Sequence, residues 1–242
     1  MKKIGFIGCG NMGGALARAA VKSVGAENIF VYDIDSQKAK VFSEETDVNI
    51  ADAEYIVLNC DYIFLGVKPQ MLKALFEKLA PVIEERTTDF VLVSMAAGVS
   101  LASLNAMAQV DCPIIRIMPN MPVSVGEGMI LYTSNEFVSK EELDSFIDAM
   151  KYAGRLDKIE EDKIDACNSA LTLWNTLIYD GNYQFFHCRI QKIYLALAMS
   201  YAKMQKADQT IEALKKAFHH AKSYDDLPKE ELHYTSIFVN AA

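Results

Sequence analysis

The chain predicts an α/β protein, a doubly wound parallel sheet followed by a small all-α helical domain. Three observations carry this. Short apolar runs of strand length alternate with helix-length segments over residues 1–155, the pattern of parallel strands joined by helical crossovers. The earliest of those runs meets a glycine-rich turn that leads into an alanine-rich stretch. After Gly154 glycine nearly vanishes, with Gly181 alone remaining, and long amphipathic patterns take over from about Glu160. The boundary is placed between residues 155 and 156.

The elements follow in order. Ile4-Gly5-Phe6-Ile7 reads as a buried parallel strand and Gly14 to Val21 as a helix. Between them stands Gly8-Cys9-Gly10-Asn11-Met12-Gly13, a G-x-G-x-x-G turn. Gly8 suits a tight turn, Gly10 leaves bare backbone for a pyrophosphate, and Gly13 lets the helix pack close to the strand. The helix start then offers unpaired N–H groups and a partial positive charge. A glycine turn in an ordinary α/β unit matches the same spacing, so context decides. Ile29-Phe30-Val31-Tyr32-Asp33 supplies a second strand ending in an acid about 20 residues on, as a dinucleotide-binding Rossmann-type unit requires.

Tyr62 to Val67 is the next buried strand, ending at Lys68-Pro69. A helix over Gln70–Ile83 follows, with Met71, Leu72, Leu75, Leu79 and Val82 as its apolar face. Phe90–Ser94 is a strand leading to Ala96-Ala97-Gly98, and Ser100 is placed to cap a helix over Leu101–Met107. Pro113–Met118 is a strand, followed by a proline-rich turn and by Gly128–Tyr132, which continues the sheet. Ser139 and Glu142 form a capping box for a helix over Lys140–Tyr152. In open α/β sheets the ligand crevice lies at the carboxyl ends of the strands. The segments 8–13, 67–70, 94–98 and 118–122 therefore converge on one groove.

Beyond it, helices are expected over about 161–179, 182–204, 208–224 and 228–240. Tyr194, Leu197, Ala198, Tyr201, Leu214 and Ala217 fall on tetratricopeptide-like spacing, which a generic helical hairpin would also satisfy.

Composition narrows the classes of function. The net charge is −8, and no basic patch is present, which argues against nucleic-acid binding. No run of 18 uncharged apolar residues predicts a membrane span. Cys9, Cys60, Cys112, Cys167 and Cys188 are scattered without a C-x-x-C pair, which suggests reduced thiols and a cytoplasmic setting. Cys9 reads as a small side chain behind the glycine loop. His219 and His220 are adjacent on a helix and point about 100° apart. No metal site is expected.

Four segments together resemble the pyrroline-5-carboxylate reductase family. They are Gly5 to Gly13, Leu65-Gly66-Val67-Lys68-Pro69-Gln70, Ser94 to Ser100, and Arg116 to Gly128, the last with Met121 in place of the usual Thr. The resemblance covers Met1 to about Thr172. It implies an NAD(P)H cofactor and hydride transfer to the carbon of an imine, giving L-proline. It further implies that Gly8, Gly10, Asn11, Met12 and Gly13 cradle the pyrophosphate. Val67, Lys68 and Pro69 line the ribose and base, Ala96, Ala97 and Gly98 lie near the nicotinamide, and Met118, Pro119 and Asn120 border the substrate. Asp33 is placed to accept hydrogen bonds from a ribose 2′-OH, favouring NADH. No catalytic proton donor is assigned; Lys68, ahead of a proline at a strand end, reads better as a ribose or phosphate neighbour.

After Thr172 the chain departs from the family. Leu173-Trp174-Asn175 stands where the family continues into Gly-Ser-Gly-Pro-Ala-Tyr, and its Gly-Gly-Thr-Thr loop has no counterpart. The tail instead resembles the tetratricopeptide-like tails of bacterial regulators and implies protein contact or homo-oligomerisation. Two readings follow from the sequence. One is a pyrroline-5-carboxylate reductase-like enzyme with slow turnover. The other is a non-catalytic nucleotide-binding protein with a helical interaction tail.

Overall fold

A computed structural model describes residues 2–164. The chain divides into two units, Met1–Asp165 and Ala166–Ala242, and the described residues lie in the first. The tetratricopeptide-like pattern, the helices expected after residue 164, Cys167, Cys188 and the histidine pair lie outside the described residues.

The doubly wound sheet expected from the sequence is present. Its eight strands are β1 (Ile4–Ile7), β2 (Ile29–Tyr32), β3 (Asn49–Ile50), β4 (Tyr62–Leu65), β5 (Val91–Ser94), β6 (Ile114–Met118), β7 (Gly128–Ser134) and β8 (Gly154–Lys158). They run in the order β3-β2-β1-β4-β5-β6-β7-β8. Six helices connect them: α1 (Asn11–Val24), α2 (Ser36–Thr46), α3 (Ala53–Asn59), α4 (Pro69–Glu85), α5 (Leu101–Ala108) and α6 (Lys140–Met150). From β3 to β6 every pairing is parallel.

Both faces of the sheet are covered, which is why β1, β4 and β5 are apolar at nearly every position. On one face α1, α2 and α6 pack over Phe6, Phe64, Ile117 and Tyr132. There Phe6 stacks on Phe64 at 4.5 Å between centroids, and Phe146 of α6 extends the stack at 6.2 Å. On the other face α3, α4 and α5 pack over Ile7, Ile63, Leu65, Leu92 and Ile114.

Local signals set several boundaries. Ser100 Oγ accepts the backbone N–H of Ser103, so the expected cap opens α5. The Ser139–Glu142 capping box is formed in both directions. Asp35 and Asp52 cap α2 and α3, accepting N–H groups of Gln37 and Tyr55.

The structure corrects the sequence reading in three places. The buried face of α4 is Leu72, Phe76, Leu79, Ala80 and Ile83, whereas Met71 is exposed. The i, i+4, i+7, i+11 spacing from Leu72 carries the burial, and Met71 falls one position off it. The strand β7 runs antiparallel to β6, with Arg116 paired to Thr133 and Met118 to Leu131, because the chain returns through a short 3-10 turn, Met121–Val125, with no helical crossover. Finally, β8 pairs with β7 from Gly128↔Gly154 to Tyr132↔Lys158. The sheet thus runs past residue 155, where a strand with three charged residues gave no apolar signal.

Candidate active site

The strand order reverses at β1. From β1 the chain first builds outward through β2 and β3, then returns to place β4 on the other side of β1. Such a switch point leaves a crevice between the carboxyl ends of the two central strands. The glycine loop sits there. Gly8 has φ +100°, donates its N–H to the Tyr32 carbonyl at 2.7 Å, and lies so close to Gly66 that a Cβ would stand 2.5 Å from the Gly66 oxygen. Gly66 N–H in turn bonds the Ile7 carbonyl at 2.8 Å. The loops after β1 and β4 are thereby locked to each other. A Cβ on Gly13 would overlap the Gly8 carbonyl oxygen, so α1 approaches β1 more closely than any side chain allows. Gly10 differs: a Cβ there would meet nothing within 4 Å. Its bareness serves no internal packing, and it opens the space in front of the helix.

The helix starts carry a second signal. The helices α2, α3, α5 and α6 have side-chain caps, whereas α1 and α4 have none. These two begin after the adjacent strands β1 and β4, at the switch point. Neither has an acid in its first turn. At α1 the first N–H groups have no partner within the helix, and their partial positive charge favours an anion; α4 opens on Pro69, which has no N–H, and its Met71 N–H is bonded to the Lys68 carbonyl at 2.8 Å, so α1 is the stronger of the two. The groove therefore presents two uncapped helix starts, bare backbone at Gly10 and the exposed Lys68. These residues fit the pyrophosphate of a dinucleotide.

The other residues expected at the site are placed as follows. Val67 is half-buried against the second core cluster, and Lys68 and Pro69 are exposed at the head of α4. Ala96 is buried, with Ala97 and Gly98 exposed beyond it. Gly98 has φ +73° and open space around it. Met118 is buried, while Pro119 and Asn120 are half-buried. Asn120 Oδ1 accepts the Met129 N–H at 2.9 Å, so this side chain braces its own loop. Because β1, β4, β5 and β6 are parallel neighbours, all four loops lie along one edge of the sheet. Asn11 is exposed and Met12 half-buried.

Asp33 follows β2 directly. Its Oδ2 accepts the Cys9 N–H at 3.0 Å and its Oδ1 accepts the Asp35 N–H at 3.0 Å. It therefore joins the glycine loop to the start of α2. The Cys9 thiol donates to the same Oδ2 at 3.7 Å. Burial, reinforced by the Asp33 carboxylate, pushes the Cys9 thiol up to about 11. This agrees with a packing role for Cys9, since the thiolate is the reactive form.

Burial likewise pushes Cys60 and Cys112 up to about 12. Two consequences are expected. The three thiols resist alkylation near pH 8 in the folded protein, as peptide mapping after iodoacetamide would show. They also bind protons more tightly folded than unfolded, so their contribution to stability is complete below about pH 9 and is lost as pH rises towards 11–12. Urea midpoints should fall across that window, each titrating thiol costing up to about 1.4 kcal/mol per pH unit. A flat profile would contradict the burial argument.

Two further residues near these loops had no role assigned from the sequence. Arg116, fully buried on β6, stands 3.6 Å from Glu161, whose Oε1 accepts the Leu101 N–H at 2.6 Å. The visible signal was a charged residue inside the apolar run Ile114-Ile115-Arg116-Ile117-Met118, since a buried charge demands a partner.

Comparison with known proteins agrees with this geometry. Residues 3–98 match the family described as NADP oxidoreductase, coenzyme F420-dependent. The pyrroline-5-carboxylate reductase of Escherichia coli (strain K12) is 36% identical over 166 residues, covering 67% of this chain and 61% of the relative. That of Aquifex aeolicus (strain VF5) is 32% identical over 164 residues, 68% of this chain and 60% of the relative. The chain thus spans about three-fifths of the length of these curated relatives. Among solved structures, the Plasmodium falciparum pyrroline carboxylate reductase with NADP bound superposes with a TM-score of 0.64 at 23% identity, covering 96% of this chain and 82% of that one. The Coxiella burnetii pyrroline-5-carboxylate reductase gives 0.66 at 22%, covering 98% and 84%. Over about two-thirds of its length, this Rossmann-type chain is similar to pyrroline-5-carboxylate reductases.

Proposed function

We propose that the chain is an NAD(P)H-dependent reductase of a cyclic imine, with pyrroline-5-carboxylate as substrate and L-proline as product. The observation that carries the reading is the switch-point groove, where two uncapped helix starts and the open backbone at Gly10 meet at the carboxyl ends of β1 and β4. Similarity to reductases supplies the name of the substrate. A bound reduced nicotinamide would supply the hydride. The chain's own residues would bind and orient: Gly8 to Gly13 the pyrophosphate, Val67 to Pro69 the ribose, Ala96 to Gly98 the nicotinamide end, and Met118 to Asn120 the substrate side. Once an imine is held against the cofactor, orientation provides much of the rate.

Within this reading NADH is the preferred cofactor. Asp33, at the end of β2, would set its carboxylate beside the adenosine ribose, where it would repel a 2′-phosphate. The nearby lysines are already engaged, Lys38 with Asp35 at 3.7 Å and Lys40 with Glu44 at 4.0 Å. Fluorescence titration at matched ionic strength should give a Kd for NADH about tenfold or more below that for NADPH, roughly 1.4 kcal/mol. Tighter NADPH binding would overturn the preference.

Turnover tests the reading as a whole. Pure protein with NADH should oxidise it only when pyrroline-5-carboxylate is added. The family's carboxylate-holding loop has no counterpart in this sequence, so the expected kcat falls below the ordinary range of about 1–10³ s⁻¹. Cofactor binding with no imine-dependent oxidation would favour the non-catalytic alternative.

A further inference from the structure

The loop between β5 and α5, residues 95–100, carries Ala96, Ala97 and Gly98. It is tied at both ends by side chains that the proposed reaction does not use. At its start, the buried Ser94 Oγ accepts the Ala96 N–H at 3.3 Å. At its end, Glu161 Oε1 accepts the N–H of Leu101, the first residue of α5, at 2.6 Å. Ser100 supplies the near cap of that helix through Ser103 N–H, and Glu161 supplies a second from 60 positions away in the chain. The same Glu161 oxygen lies 3.6 Å from Nη1 of Arg116.

Arg116 is also the middle of a polar row. Among the described residues, the buried polar side chains are Ser94, Arg116 and Thr133. Register pairs Ser94 with Arg116 and Arg116 with Thr133, so the three stand side by side on one face of β5, β6 and β7. A guanidinium buried in the middle of a sheet is costly to keep. It lies 3.6 Å from the Glu161 carboxylate, which accepts the first N–H of α5, the helix that follows the loop carrying Ala97 and Gly98. Within the loop Ala96 is buried and Met95 and Val99 pack against the cores, whereas Gly98, at φ +73°, has open space where a Cβ would stand.

We infer that Glu161, steadied by Arg116, is the positioning residue of the 95–100 loop and sets how firmly the groove grips the nicotinamide end of a dinucleotide. The inference rests on the cofactor reading above, and it concerns one end of the ligand. The glycine loop, Asp33 and α1 hold the other end and share no contact with Glu161 among the bonds described.

Two ligands separate the ends: NADH, and ADP-ribose, which has the pyrophosphate and adenosine but no nicotinamide. Glu161→Leu removes the acceptor for Leu101 N–H, whereas Glu161→Gln keeps an acceptor and removes only the charge. Calorimetric titration of the full chain is expected to show NADH affinity reduced about tenfold in Glu161→Leu and by a smaller factor in Glu161→Gln, the scale of a lost charge-assisted hydrogen bond. ADP-ribose affinity should stay at the parent value in both. Equal losses for the two ligands would mark Glu161 as merely structural, and unchanged NADH affinity in both variants would remove its role; either result overturns the inference. A parent protein that binds neither ligand would fell the cofactor reading itself, and this inference with it.

Discussion

Gly10→Val is expected to abolish dinucleotide binding while leaving the fold intact. Gly10 adopts φ −67° and ψ −165°, extended backbone that valine also occupies. A Cβ there meets no atom within 4 Å, so the first carbon of the new side chain has open space. The new methyl groups enter the space in front of Asn11 and Met12, where a pyrophosphate would approach the N–H groups of α1. Loss of that approach should weaken NADH by at least about 100-fold, or roughly 2.7 kcal/mol. Thermal melting should match the parent. Unaltered affinity for NADH would show that the phosphate does not dock at this loop.

Gly13→Val is expected to do the reverse and unfold the protein before binding can be asked about. Here the added Cβ overlaps the Gly8 carbonyl oxygen and comes within 4.0 Å of Gly66 Cα. Both obstacles are backbone, so no rotamer change relieves them. Relief requires α1 to lift from β1, and α1 carries Leu16, Ala17, Ala19 and Ala20 in the core. Forcing extra volume into such contact costs about 1–3 kcal/mol in ordinary cores, and more where backbone must move. The urea midpoint should drop sharply, or soluble protein should fail to accumulate. A midpoint equal to the parent's would show that α1 and β1 are farther apart than the structure has them. Two glycines three residues apart in one motif are thus expected to have opposite roles, one leaving space for a ligand and one permitting packing.

That difference explains what was legible in the sequence. The glycine spacing, the buried strands and the caps at Ser100 and Ser139 are local, set by backbone sterics and by bonds reaching three residues, so they could be read directly. The convergence of four loops followed from parallel topology alone. The region of residues 34–61 was less visible. The helix α2 buries only Ala39 and Phe42, and β3 is two exposed residues, leaving little periodicity to detect. The antiparallel turn of β7 depended on a 3-10 connection without a strong pattern. The Arg116–Glu161–Leu101 link joins three distant segments, and only Arg116's isolation among apolar neighbours hinted at it. Asp33 lay in between: its place after β2 was readable, but its bonds to Cys9 and Asp35 required the fold.

The carboxyl edge of β1, β4, β5 and β6 is expected to hold a nicotinamide dinucleotide, and a crystal structure of the full chain grown with saturating NADH would show it. Pyrophosphate oxygens are expected about 2.7–3.2 Å from the amide nitrogens of Asn11 or Met12, with the adenosine ribose beside Asp33 and the nicotinamide ring against Ala97 and Gly98. A dinucleotide bound away from the β1–β4 switch point, or a groove empty at saturating NADH, would contradict this placement.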